Sequence, residues 1–210
     1  QKGRYYVTPA ETDAGLGEHN LASLRHTCVH EAWPGHHCQF VTANLTPVAS
    51  TLPRLTNRSA TLYEGWALYC EQLMQEQGFL DAPESRFILL KDRLWRALRI
   101  MLDVELHTRG LDLGSAAQRM QDGLGFTREQ AMADLTWYTR APTVPMGYAT
   151  GWALIMATRE HLKNSDKAFD LRDFHDRLLA EGSIALPYVL KQQFGDSLWD
   201  SVRRKVFETV

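Results

Sequence analysis

The chain has 210 residues, of which 44% are hydrophobic, so it can bury a core as one domain over residues 1–210. Its formal net charge of -2, with no run of lysine or arginine, argues against a nucleic-acid partner or an anionic membrane surface. The longest weakly polar run, residues 146–158, is shorter than the roughly 20 residues of a membrane span. Three cysteines are too few for a disulfide framework and leave the cellular compartment open.

Apolar spacing and capping signals predict helices along almost the whole chain. The first is expected from about residue 18 to 33, where Pro34-Gly35 interrupts it because proline removes a backbone hydrogen bond and clashes one turn back. It resumes to about residue 44, and a connection follows over 46–58. Further helices are predicted over 61–77, 81–110, 115–122, 128–138, 146–162, 171–180, 184–194 and 197–207. Only residues 4–7 resemble a strand, so the predicted architecture is an all-α, multi-helix array.

His30 lies before the Pro34-Gly35 break, and His36 and His37 lie directly after it. Two histidines of one helix share a metal when three or four residues separate them, because both then lie on one face. His36 follows His30 by six residues and would lie on another side of a regular helix, while His37 would lie about two turns, or about 10.5 Å, away. An irregular turn that takes up two residues would bring His36 to the usual position. We therefore predict His30 and His36 as metal ligands, with His37 as the alternative to His36.

The third ligand is expected on the helix over 61–77. Glu64 lies there with apolar and aromatic residues on nearly every side of the helix, which is typical of a buried helix. A buried carboxylate needs a partner, and a metal offsets its desolvation best. Glu71, two turns further, could instead orient a ligating histidine or replace Glu64 as the ligand. Thr61 and Glu64 also have capping-box spacing, which would start the helix at Thr61.

Two histidines and one carboxylate form the ligand set of a hydrolytic zinc site, which keeps one position open for water. Glu31, next to the first ligand, is predicted to be the general base that takes a proton from the metal-bound water and passes it to the leaving group. The sequence thus predicts a zinc-dependent hydrolase, with a metallopeptidase as the first interpretation. The alternatives are an amidase or esterase on a small acyl substrate and a catalytically inactive metal- or peptide-binding helical module.

These motifs resemble a bacterial α-helical family, domain of unknown function 885 (DUF885). The family signature His-Glu-x-x-Pro-Gly-His stands at residues 30–36, and its Glu-Gly-Trp-Ala-Leu-Tyr-x-Glu helix stands at 64–71. The similarity continues through 103–107, 142–151 and 174–182. The resemblance implies a protein like the zinc metallopeptidases, similar in plan to helical peptidases that use two histidines and a distant glutamate.

The resemblance also implies that the chain is the C-terminal catalytic part of a longer protein, because family members are usually more than twice this length. Its partners would then be a peptide or small acyl substrate and the missing N-terminal region of the same protein. Two positions depart from the family pattern. Glu105 stands where the family has glycine, and Thr143-Val144 stands where it has Gly-Gln.

Two further catalytic residues are predicted in segments that match the family. Tyr148 or His107 could stabilise the negative charge that develops on the carbonyl oxygen during acyl transfer. A tyrosine near a helix start and a histidine near a helix end are also common as structural residues. Arg140 could bind a substrate carboxylate through two parallel hydrogen bonds, although a solvated surface arginine is the commoner interpretation.

Overall fold

The computed structural model describes residues 2–6, 9, 20–165 and 168–208. These residues form eleven α-helices and no strand, which confirms the all-α prediction; Val7, in the possible strand, lies outside the described residues. The helices are α1 Leu21–Glu31, α2 His36–Leu45, α3 Leu52–Thr56, α4 Ala60–Glu76, α5 Pro83–Thr108, α6 Leu113–Leu124, α7 Arg128–Tyr138, α8 Val144–Ser165, α9 Leu171–Leu179, α10 Leu186–Phe194 and α11 Asp196–Phe207.

Side-chain caps begin the five helices α1, α4, α6, α7 and α9, whose boundaries lie close to the predicted ones. Thr127 begins α7 with a capping box closed by Gln130. The capping box predicted at Thr61 is wrong, because the hydroxyl of Ser59 caps α4 instead and accepts the Thr61 backbone N–H. The predicted connection over 46–58 also contains the short helix α3, and residues 18 and 19 of the predicted first helix lie outside the described residues.

Helix α4 is the most enclosed helix of the described structure near the site. Eleven of its residues are buried, on all sides of the helix, as its sequence predicts. It packs against α8 through small residues: a β-carbon at Gly151 would collide with the Thr61 carbonyl oxygen, and one at Gly147 would lie 2.5 Å from the Ala60 β-carbon. These glycines let the two helix backbones approach closely, so side chains from α4 and α8 meet in one place.

Two hydrophobic clusters flank this helix pair. The larger joins α4 and α8 to the C-terminal helices α9 to α11 and includes Tyr69, Ile155 and Phe174. The smaller joins α5, α6 and α7 around Leu102 and Met120. Because α1 and α5 both contact α4, the space between them opens beside the buried part of α4.

The long helix α5 presents a row of large apolar side chains to solvent. Phe87, Leu90, Leu94 and Met101 are all at least half exposed. Hydrophobicity alone therefore does not indicate which face of α5 points inward. No helix among the described residues is long and apolar enough to cross a membrane.

We predict that Gly151→Ala destabilises the fold by about 1–3 kcal/mol, because the added methyl group must push α8 away from α4. The matched control is Gly123→Ala in α6, where the nearest atom to an added β-carbon is 4.0 Å away. The control should be neutral or slightly stabilising, since alanine favours a helix. Urea unfolding of both variants measures the difference, and equal stability would contradict the close-packing argument.

Candidate metal centre

The break between α1 and α2 folds the chain back on itself. A β-carbon at Gly35 would collide with the His30 carbonyl oxygen, so glycine allows this return. The indole N–H of Trp66 on α4 donates to the Pro34 carbonyl oxygen at 2.9 Å and ties the break to α4. As a result, the His36 ring meets the His30 ring edge to face, with centroids 4.7 Å apart.

Three possible ligand atoms converge at this point. One atom each from His30, His36 and Glu64 lies within 4.8 Å of the others. Glu64 Oε2 is 3.2 Å from His36 Nε2 and 3.5 Å from His30 Nε2. Glu64 is buried, and this oxygen has no hydrogen-bond partner among the described residues. His37 is not part of this group.

Glu71 fixes the orientation of His30 from the side away from Glu64. Its Oε1 lies 2.7 Å from His30 Nδ1, and both side chains are buried. An imidazole that donates Nδ1–H to a carboxylate presents a free Nε2 lone pair, which is the common arrangement of ligating histidines. The sequence allowed Glu71 either to orient a ligating histidine or to replace Glu64 as a ligand. Its position fits the first of these roles.

The electrostatics of the group favour positive charge. Burial opposes a charge on His30, but Glu64 and Glu71 outweigh it and raise the pKa of His30 to about 9. Burial likewise opposes ionisation of Glu64, but the two imidazoles lower its pKa to about 2. A proton thus occupies His30 between two carboxylates, where a divalent cation would replace it. Geometry, burial and charge all fit a metal of the zinc type held by two imidazoles and one carboxylate.

Two of the predicted catalytic residues line a cavity of about 870 Å³ beside this group. Glu31 is exposed and lies next to His30 in the chain, at the end of α1. The Tyr148 ring is nearly parallel to the His30 ring, at 6.4 Å between centroids. Burial, with help from the Glu64 charge, raises the pKa of Tyr148, while Arg99 opposes this rise. The Tyr148 hydroxyl therefore keeps its proton at neutral pH and can donate it in a hydrogen bond.

His107 and Arg140 lie elsewhere. His107 Nδ1 is 2.8 Å from the Asp103 carbonyl oxygen, and the residue does not line the cavity. The Asp103 carboxylate accepts the backbone N–H groups of Thr143 and Met146, both at 3.3 Å. Asp103, held by His107, therefore connects α5 to the first turn of α8. It supports the position of Tyr148 on α8 only indirectly. Arg140 is exposed and does not line the cavity either.

One arginine of the cavity wall was missed by the sequence analysis. Arg99 is 5% exposed, although arginine is seldom buried without a partner. Its spacing from the buried residues Leu102 and Asp103, three and four positions later, could have indicated an inward orientation. The exposed apolar row on the opposite side of α5 obscured that signal.

Thr143 is one of the positions that depart from the DUF885 pattern, and its backbone conformation reflects this difference. Its φ is 72°, in the left-handed region that suits glycine, the residue that the resemblance to the family implies at this position. A β-branched residue there costs about 1–2 kcal/mol.

The described structure is thus a helical protein with a candidate metal centre. The model of DUF885, described as a bacterial protein of unknown function, matches residues 1–193, and the chain belongs to that family. No curated protein matches the chain.

Two solved structures resemble this fold. One, provisionally described as a lipoprotein of unknown function from Shewanella oneidensis, has a TM-score of 0.78 and 30% identity, covering 90% of this chain and 35% of that protein. The other, provisionally described as a lipoprotein from Colwellia psychrerythraea, has a TM-score of 0.73 and 28% identity, covering 90% of this chain and 31% of that protein. The chain therefore spans about a third of the length of the structures it matches.

We predict that Glu71→Gln weakens zinc affinity by roughly 10–100-fold, because a neutral amide supports the ligating form of His30 less well than a carboxylate. Glu76→Gln on the same helix is the matched control, since Glu76 pairs with Arg159 away from the site. Competition with a chromogenic chelator measures both affinities. An unchanged affinity in Glu71→Gln would show that Glu71 does not support the metal site.

Proposed function

We propose that this protein is a zinc-dependent hydrolase that acts on peptide bonds. The observation that carries the proposal is the convergence of His30, His36 and Glu64, with ligand atoms within 4.8 Å of one another, beside a cavity lined by Glu31 and Tyr148. His30, His36 and Glu64 would hold the zinc ion. Zinc in such a site lowers the pKa of water and polarises a substrate carbonyl group.

The remaining roles belong to side chains of the protein. Glu31 accepts the proton of the attacking water and donates it to the leaving nitrogen, a task that needs a carboxylate within reach of solvent and substrate. Tyr148 donates its hydroxyl hydrogen to the oxygen that becomes negative in the transition state. Glu71 keeps the His30 ring in the ligating orientation.

The size of the cavity supports a peptide rather than a very small substrate. A volume of about 870 Å³ lies within the range of sites for drug-sized ligands, which a short peptide matches. Because the matched structures are about three times as long, we further propose that the chain acts as the C-terminal catalytic part of a longer protein. The N-terminal region would then complete the substrate cleft.

The first test is zinc content, measured by elemental analysis after purification without chelator. About one zinc ion per chain is expected, and His30→Ala, His36→Ala and Glu64→Ala should each lose it. His37→Ala is the matched control and should keep it, since His37 is outside the converging group. Absence of zinc from the wild-type protein after reconstitution would refute the proposal, and loss with His37→Ala alone would move the second ligand to His37.

The second test separates metal binding from catalysis. Glu31→Gln should keep its zinc but lose hydrolysis by roughly 10²–10⁴-fold, because the amide cannot accept a proton. Mass spectrometry of a mixed-sequence peptide set gives the rate. If zinc binds and no peptide is cleaved, small acyl amides and esters are tested next. Their cleavage would identify an amidase or esterase, and no cleavage would identify an inactive metal-binding module.

Tyr148→Phe should lower kcat by roughly 10²–10³-fold with little change in KM or zinc content, because the hydroxyl acts mainly in the transition state. The control is Tyr188→Phe, which changes a tyrosine that is 63% exposed and does not line the cavity. A normal kcat in Tyr148→Phe would remove Tyr148 from the catalytic set.

A further inference from the structure

The cavity beside the candidate metal centre continues along α5, where its wall carries positive charge. Three cations line this wall, Lys91, Arg96 and Arg99, against two carboxylates, Glu84 and Asp92. Two of the acidic residues in the cavity are already engaged, since Glu71 contacts His30 and Asp92 pairs with Arg96 at 3.1 Å.

Arg99 is the cation of this wall that lies next to the catalytic residues. Its Nε donates to the Tyr138 hydroxyl at 2.8 Å, and its Nη2 lies 3.6 Å from Asp134 Oδ2. Its Nη1 makes no hydrogen bond to another described residue. The guanidinium lies 4.2 Å from the Trp95 ring centroid and 4.7 Å from that of Tyr148. These contacts fix the guanidinium and leave one of its edges free to bind an anion.

Unpaired donors on the same wall also indicate a missing acceptor. His26 is 3% exposed and lines the cavity, yet neither of its ring nitrogens makes a well-aligned hydrogen bond within the described residues, although the Ser85 backbone is close enough to interact. Arg96 Nε is likewise buried without a partner in the described part of the chain. Buried N–H groups without acceptors are costly, so an acceptor bound in the cavity would stabilise this wall.

The distance from Arg99 to the metal candidates limits the ligand. The Tyr148 ring is close to both, 4.7 Å from the guanidinium and 6.4 Å from the His30 ring, so the guanidinium and the His30 ring are at most about 11 Å apart. Since a peptide residue spans about 3.3–3.6 Å and each end of the substrate needs a contact distance of its own, this range accommodates one or two residues. On the α5 wall, the nearer carboxylate, Asp92, is paired with Arg96 and so is a poor anchor for a substrate ammonium group. Glu84 precedes Arg99 by 15 residues, or about 22 Å along α5.

We infer that Arg99 binds the free carboxylate at the C-terminus of a peptide substrate, one or two residues beyond the bond that is cleaved. The inference rests on the proposed peptidase function and makes the enzyme an exopeptidase that acts from the C-terminus. Hydrolysis adds one water molecule across the bond: the new carboxyl group takes the water oxygen, and the released amine takes a proton.

The test compares N-acetylated peptides of mixed sequence, each made with a free carboxylate and with a C-terminal amide. The zinc-loaded protein should cleave the acids with kcat/KM at least about 10-fold above the amides, since a charge-assisted hydrogen bond is lost with the amide. Released products should be single amino acids or dipeptides. Arg99→Met should reduce the acid-to-amide ratio towards one, and Arg99→Lys should reduce it less.

The matched control is Arg93→Met. Arg93 is on the same helix and also stacks on an indole, that of Trp152 at 4.0 Å, but it does not line the cavity. Its acid-to-amide ratio should equal that of the wild type. Circular dichroism and zinc content establish that each variant is folded and loaded. A purely structural role of Arg99 would lower cleavage of acids and amides equally and would overturn the inference.

Calorimetry provides a readout that does not depend on turnover. In the zinc-loaded Glu31→Gln protein, the acids should bind at least about 10-fold more tightly than the amides, and adding Arg99→Met should remove this difference. Cleavage with equal rates and equal binding for both sets would overturn the carboxylate site and leave the peptidase proposal standing. Zinc binding without cleavage would refute the peptidase, while the calorimetric difference would still decide whether Arg99 binds carboxylates. A requirement for a free amino terminus would also overturn the inference.

Discussion

The close approach of α4 and α8 is the constraint on which the rest of the structure depends. Gly65, Gly147 and Gly151 have no side chains to keep the two backbones apart. Helix α4 carries Glu64 towards α1 and α2, while α8 carries Tyr148 to the same place. Larger residues at the contact would separate these two side chains, so the packing of the core and the geometry of the site are one problem.

The candidate centre concentrates ionisable groups in a region that water reaches poorly. Glu64 and Glu71 lie on either side of His30, and this excess of negative charge is what a divalent cation requires. At Arg99 on α5 the balance reverses, since aromatic rings surround its guanidinium and it pairs with one carboxylate, Asp134, among the described residues. The cavity therefore joins a place that favours a cation to a place that favours an anion.

Much of the fold followed from local sequence signals, because caps and apolar spacing act within a few residues. Glu64 could be found because its helix is apolar on every side, and His36 could be preferred because proline and glycine must break α1. The inward orientation of Arg99 could not be found in this way. It depends on how α5 packs against four other helices, and residues such as Phe87 give the outer face of α5 the apolar character usually expected inside. The position of His107 likewise depends on tertiary contacts.

Gly35 helps to assemble the site without taking part in its chemistry. Gly35 has no side chain that could bind a metal or a substrate. The approach of His36 to His30 nevertheless depends on the absence of a β-carbon at this position. The cost of assembling the two histidines is therefore met when the chain folds, before any ion arrives. An ion would then meet a site whose imidazoles are already in place, and little of its binding free energy would be spent on ordering the chain.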